Sequence, residues 1–316
     1  MILVSDTIRY LLTFLSFPHN LKKEKLSKSQ NYLIKKLKDN KFNKKNYVND
    51  KLLTHEVFSN TLLNIIKKGQ LKDFLRLGFI QKMFFVHNRF YNYKFLRKIY
   101  NSKKKLWINL LNENSIGNPV PFFLNKKTSG NRIRHVYLAK KICSYVNFSR
   151  IDSVIELGGG YGCMASIFCK INRNIDYTIY DLPEVNLLQY YYLNSLGIKT
   201  SNSDYKSQVS LISKITEIQK KIILLKKKKK KILILANWSL SEMPISLRNN
   251  LKFLFTKCDY AQISYQSRFE NISNKKYFYD LKQELSKNFI SKINQIYEMN
   301  NYFGKNTHYN LQIKKK

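Results

Sequence analysis

Residues 154–162 read VIELGGGYG, and the chain runs on through CMASIFCKI (163–171) to YTIYD (177–181). Four of its ten glycines fall in this one turn. An apolar run, a glycine-dense bend and a second apolar run at helical spacing predict strand, tight turn and helix in succession. Glycine at a strand-to-helix turn adopts positive φ and lets a ligand approach the main chain with no Cβ in the way. YTIY predicts a second strand, and the next residue is Asp181, a carboxylate placed to accept hydrogen bonds from a ribose diol.

Downstream of this unit, strand and helix alternate. VNLLQYYYLNSL (185–196) and VSLISKITEIQKKI (209–222) read as helices, and KILILANW (231–238) is the most strand-like run in the chain. SLRNNLKFLF (246–255) then reads as helix, YAQISYQ (260–266) as strand and YFYDLKQELS (277–286) as helix. FISKINQIYEM (289–299) and HYNLQIK (308–314) close the chain as two consecutive strands. Alternation of this kind predicts an α/β fold with a mostly parallel, Rossmann-like sheet covered on both faces. Only NNYFGKNT (300–307) separates the last two strands, too little for a parallel crossover, so the final strand must be reversed in a hairpin.

Upstream, residues 1–112 read as a helical region joined by Lys- and Asn-rich connections. SNTLLNIIKK (59–68), LKDFLRLGFIQKMFF (71–85) and FLRKIYNSKKKLWINLL (95–111) each carry apolar residues at three- and four-residue spacing. The aromatic and basic stretch HNRFYNYKFLRKIY (87–100) reads as core plus a lysine-covered surface. The opening MILVSDTIRYLLTFLSF (1–17) carries Asp6 and Arg9, lacks a basic leader and a small-residue cleavage site, and is too interrupted for a membrane span. It reads as an amphipathic helix packed on the body, with peripheral membrane docking beside LKKEK (21–25) as the second reading. The turn-rich ENSIGNPVPFFLNKKTSGNRIRH (113–135) reads as a connector, followed by a helix over VYLAKKICSYVNF (136–148). The expected organisation is a helical region over 1–112 and a ligand-binding domain over 113–316.

The formal net charge is +37, from 57 Lys and Arg against 20 Asp and Glu. Such a balance invites a nucleic-acid reading. Lysine outweighs arginine, however, and Asn, Ile and Tyr are abundant too, which is the residue profile of AT-rich coding. Lysines spread over every segment make a solvated surface rather than one basic face, so nucleic acid is the disfavoured partner. The run Lys226–Lys231 is expected as a surface loop. Cys143, Cys163, Cys169 and Cys258 form no CxxC pair, and the five histidines are dispersed. No metal site is expected, and reduced cysteines point to a cytoplasmic protein.

The glycine spacing narrows the ligand. Gly158, Gly160 and Gly162 make GxGxG, and Cys163 stands where the dinucleotide fingerprint needs its third small residue. Glu156 lies two residues before the first glycine. Two acids and a bare turn suit a ligand with a ribose and a cationic amino-acid end but no phosphates, namely S-adenosylmethionine.

VIELGGGYG with YTIYDLPEV (177–185) resembles the first two ligand motifs of class I methyltransferases, and the closing hairpin is similar to the reversed seventh strand of that fold. More narrowly, SIGNPVPF (115–122), the 156–184 unit and ILILANWSLSEMP (232–244) together resemble a family of sugar O-methyltransferases. The resemblance begins near residue 113, and the lysine tract before ILILANW departs from it. It implies S-adenosylmethionine as cofactor, with Gly158, Gly160 and Gly162 bordering the methionine end and Glu156 near its ammonium. It further implies Asp181 on the ribose, Leu182 against the adenine, and Ser203 or Asp204 at the adenine edge. Asn237 and Ser239 would line the junction with the acceptor.

For proton removal the candidates are Glu242, within a turn of the KILILANW strand, and His308, at the start of the last strand. Glu242 reads equally as a carboxylate complementing a helix N-terminus. The expected acceptor is a sugar hydroxyl of a glycan or glycosylated metabolite, and the N-terminal helices would shape its site or a homodimer interface. The alternatives are RNA methylation with lysines on phosphates, and a non-catalytic basic binding protein on a degenerate nucleotide fold.

Overall fold

The computed structural model describes residues 27–38, 53–84, 86, 88–89, 91–202, 207–299 and 306–316. The expected helix over 1–17 and the adenine-edge candidates Ser203 and Asp204 lie outside them.

Helices come first: α1 Lys28–Lys38, α2 Leu53–Lys68, α3 Gly78–Met83, α4 Tyr91–Tyr100, α5 Lys105–Leu110 and α6 Gly130–Tyr145. Two stretches expected as continuous helices are each broken. LKDFLRLGFIQKMFF splits into a 3₁₀ turn at Phe74–Arg76 and α3, because Leu77 takes an extended ψ of 125°. FLRKIYNSKKKLWINLL splits into α4 and α5 around Lys103, whose φ is +52°.

A larger correction concerns α6, which begins at Gly130 inside the expected connector. Ser129 caps it, its side chain accepting the Arg132 N–H at 3.1 Å. A serine that accepts a free first-turn amide starts a helix whatever turn residues stand beside it. Only the connector upstream of it is irregular, holding a two-stranded pairing of Pro121–Phe122 with Asn125–Ser129.

The sheet strands are β1 Ser153–Leu157, β2 Asp176–Tyr180, β3 Thr200–Asn202, β4 Val209–Ile212, β5 Ile232–Asn237, β6 Tyr260–Gln266, β7 Phe289–Gln295 and β8 His308–Lys315. Between them run α7 Cys163–Ile171, α8 Pro183–Ser195, α9 Ile215–Lys227, α10 Ser239–Glu242, α11 Ile245–Lys257 and α12 Asn274–Leu285. The spatial order is β7-β8-β6-β5-β1-β2-β4-β3. All neighbours are parallel except β8, which is antiparallel to both β7 and β6.

The expected parallel sheet with a reversed last strand is therefore present, and short β3 adds an eighth strand at its edge. β4 was expected as the start of a helix: VSLI (209–212) is a buried strand, and the helix begins only at Ile215. Four apolar residues flush with a helical pattern cannot be separated from it by periodicity.

Central strands are apolar on both faces, as a doubly covered parallel sheet requires. Val154 and Leu233 point into one core with Tyr177 and Leu211. Ile155 and Ile234 point into the other, with Leu251 of α11 and Phe278 of α12. The first core also holds Leu62 of α2, Phe74 and Phe95 of α4, so the N-terminal helices share the sheet face covered by α6, α7 and α8. The strand ends on which the site depends are thus fixed from both sides. No helix among the described residues is long and apolar enough to cross a membrane.

Candidate functional site

Parallel strands leave a crevice beyond their C-terminal ends, where loops diverge. Here that crevice is a cavity of about 220 Å³. Its floor is the turn after β1. Gly158, Gly160 and Gly162 have φ of +71°, +54° and +97°, the left-handed region that the glycine reading requires. At Gly158 an added Cβ would lie 2.2 Å from Ser239 Cβ, so the turn is pressed against the loop after β5. The Ser239 hydroxyl donates to the Leu157 carbonyl and stitches the two loops together. At Gly160 an added Cβ would meet only the Phe84 ring at 3.5 Å, so this stretch of main chain faces open space.

The expected residues fall into three groups. Glu156, Gly158, Gly160, Asp181, Leu182, Asn237 and Glu242 all line the cavity, as does Ser239. Gly162 does not; it is the left-handed cap of α7, packed on Leu193. His308 does not either. It is buried behind Trp238, whose indole N–H donates to its Nδ1 at 2.8 Å.

Each acid in the wall has its charged form penalised. Glu156 is buried in the sheet and accepts the Tyr177 hydroxyl at 2.8 Å. Burial pushes its carboxyl up to about 8, against that hydrogen bond, with Asp181 adding repulsion. Asp181 accepts the Leu182 N–H on Oδ1 and the Gln189 amide on Oδ2, both at 2.8 Å. Burial still raises it to about 7. Glu242, partly open to the cavity, is raised to about 7 by the protein around its carboxyl, opposed by the Gln266 amide at 3.3 Å and by Arg248.

Several residues in or just behind the wall carry no assignment from sequence. Gln189 on α8 donates to the Gly160 carbonyl at 2.8 Å as well as to Asp181, one amide bracing both the turn and the acid. Arg134 on α6 is buried, donates to Asn131 Oδ1 at 2.8 Å and to the Phe84 carbonyl at 3.3 Å, and lies 5.6 Å from the centre of the Trp238 ring. Among the described residues its Nε has no partner, nor does Nδ2 of Asn237. His135 beside it is held neutral, its value lowered to about 3 by burial and by the Arg134 charge. Trp238 itself sits at φ +66°, an unusual conformation for a large side chain. The signal for Arg134 and His135 was the Ser129 cap, which puts GNRIRH (130–135) into the first turns of α6. Phe58, Met83 and Phe84 complete an apolar wall from the N-terminal helices.

Among the described residues no group of three or more His, Cys, Asp or Glu is placed to hold a metal ion. The four cysteines are free thiols.

No protein-family model matches the chain, and no curated protein matches it. Similar solved structures include the methyltransferase domain of bacterial CtHen1, at 14% identity and a TM-score of 0.39, covering 55% of this chain and 96% of that one. An O-methyltransferase family protein from Burkholderia thailandensis shows 11% identity and a TM-score of 0.37 over 58% of this chain and 60% of that one. The glycopeptide N-methyltransferase MtfA shows 9% identity and a TM-score of 0.37 over 57% and 95%.

Proposed function

We propose that the chain is an S-adenosylmethionine-dependent methyltransferase acting on a hydroxyl, and that the acceptor is a sugar of a glycan or glycosylated metabolite. The observation that carries the reading is the pair of hydrogen bonds donated by the Gln189 amide, which locks a diol-accepting carboxylate and a bare glycine turn into one cavity. Asp181 would take the ribose hydroxyls and Leu182 would lie against the base. The open main chain at Gly160 would accommodate the methionine stem, with Glu156 on the ammonium side. Arg134, a buried cation whose Nε lacks a partner among the described residues, would pair with the carboxylate.

When bound, the donor supplies a methyl group on a positively charged sulfur. The chain's own contribution is to hold the acceptor oxygen in line with it, exclude water with Phe58, Phe84 and Trp238, and accept the hydroxyl proton. Glu242 is the carboxylate in the wall best placed for that proton, having a value near 7. His308 is screened from the cavity by Trp238 and is assigned no proton transfer. The sugar acceptor rests on the resemblance of SIGNPVPF and SLSEMP and on the neutral, largely apolar wall contributed by the N-terminal helices.

The test is calorimetric titration with S-adenosylhomocysteine, followed by labelled-methyl transfer onto fractionated glycans and RNA. Binding that is lost in Asp181→Ala and Gly160→Arg supports the site; equal binding in parent and variants sinks it. Label on RNA alone would replace the sugar with the alternative acceptor.

A further inference from the structure

Glu242 does not stand alone in the cavity wall. It ends α10, a single turn, and the segment carrying it is clasped from below by Arg248 of α11. Arg248 is fully buried. Its Nη2 donates to the Ser241 carbonyl at 2.6 Å, its Nε to the Met243 carbonyl at 2.7 Å and its Nη1 to Asn274 Oδ1 at 2.7 Å. The two carbonyls on either side of Glu242 are thereby pinned to one guanidinium.

The carboxylate itself is met by Gln266, the last residue of β6, which pairs in register with His308 of β8. Gln266 Nε2 lies 3.3 Å from Glu242 Oε1. Its Oε1 lies 2.8 Å from Ser241 Oγ, whose hydroxyl also lies 2.5 Å from the Trp238 carbonyl. With its oxygen turned to that hydroxyl, the amide has its nitrogen facing Glu242. Gln266 is buried and lies outside the cavity lining, so it touches no ligand.

We propose that Gln266 is a positioning residue: its amide, oriented by Ser241, holds the Glu242 carboxylate at the cavity wall as the acceptor of the substrate hydroxyl's proton. This rests on the methyltransferase reading. In the step, the acceptor oxygen forms a bond to the methyl carbon while the carbon–sulfur bond breaks. Its electron pair stays on sulfur, which becomes a neutral thioether, and the hydroxyl proton passes to Glu242. An N–H donor favours the ionised carboxylate. Gln266 thus keeps a fraction of Glu242 charged and ready near neutral pH, where desolvation would otherwise leave it protonated. Arg248 is the charged group facing Glu242 from α11, and Gln266 is the polar group facing it from β6.

The test needs no acceptor. Protein labelled with carboxyl-¹³C glutamate is titrated by NMR, with the Glu242 signal assigned by its loss in Glu242→Gln. In Gln266→Met the Glu242 midpoint is expected to rise by about one pH unit, the worth of one hydrogen bond to a charged group. In Ser241→Ala, a smaller excision that is the safer folder, it rises by less. A midpoint unmoved in both variants, with thermal melts showing them folded, overturns the proposal, as does a midpoint that falls. S-adenosylhomocysteine affinity, measured on the same samples, is expected to stay within about twofold of the parent, since Gln266 lies outside the lining. Absence of that binding in the parent would overturn the methyltransferase reading on which the proposal rests, a result separate from the titration.

Discussion

The Trp238 indole N–H donates to Nδ1 of His308, and the imidazole is consequently a neutral acceptor with that nitrogen unprotonated. Burial, then the Arg134 charge, lowers its value to about 4 from 6.5. The unfolded chain binds this proton where the folded chain does not, so stability is lost as pH falls from 6.5 through about 4. His308→Gln keeps an acceptor for the indole but cannot titrate. Its acid-side loss of stability should be smaller than the parent's, by on the order of 2 kcal/mol at pH 4 in denaturant titrations. On the proposed function, the neutral-pH profile of methyl transfer should not move.

Glu156 has the opposite sign. Its folded value of about 8 exceeds the ordinary 4.5, so the folded state holds the proton more tightly. Stability from this group is whole below pH 4.5 and is lost as pH rises towards 8. Glu156→Gln, which still accepts the Tyr177 hydroxyl, is expected to be more stable than the parent at pH 8. The gain should be on the order of 4 kcal/mol and vanish below pH 4.5 in unfolding curves.

Gly158 and Gly160 separate two costs that glycine substitutions usually mix. Gly160→Ala meets only the Phe84 ring at 3.5 Å and pays mainly for a positive φ, about 1 kcal/mol. Gly158→Ala adds a Cβ 2.2 Å from that of Ser239, within a loop contact that has no room to give. It should lower the melting temperature several degrees further and break the Ser239 tie to Leu157.

On the proposed function, donor binding should be linked to protons. Asp181, raised to about 7, must be ionised to accept a diol. Affinity for S-adenosylhomocysteine is expected to rise with pH, approaching about tenfold per unit below 7 and levelling above it. Calorimetry in buffers of different ionisation enthalpy should register proton release, and Asp181→Asn should flatten the dependence while weakening binding.

The strand-turn-helix unit at 153–171 was legible because each boundary carries its own chemistry: an apolar run, glycines in left-handed conformations, then apolar residues in phase with a helix. The reversal of β8 followed from linker length alone. Strand β4 was hidden by its continuity with α9, and the start of α6 by turn residues that share their neighbourhood with a serine cap. Of the site, Glu156, Asp181, Asn237 and Glu242 could be placed because strand ends converge on one crevice. Gln189, Arg134 and Gln266 could not, since their roles depend on side chains brought from other helices and strands. His308 looked available in sequence only because nothing there shows Trp238 standing in front of it.

The lysine tract has a geography of its own. Lys226 closes α9, and Lys226 and Lys231 pair with Asp259 while Lys230 pairs with Asp152, all at the end of β5 remote from Asn237. Six strand residues at about 3.3 Å each put roughly 20 Å of sheet between that basic rim and the cavity mouth. A polyanion gripped by the rim would be anchored on the far side of the molecule from the chemistry. Neutralising those lysines should therefore alter what the protein adheres to and leave turnover of a small acceptor as it was.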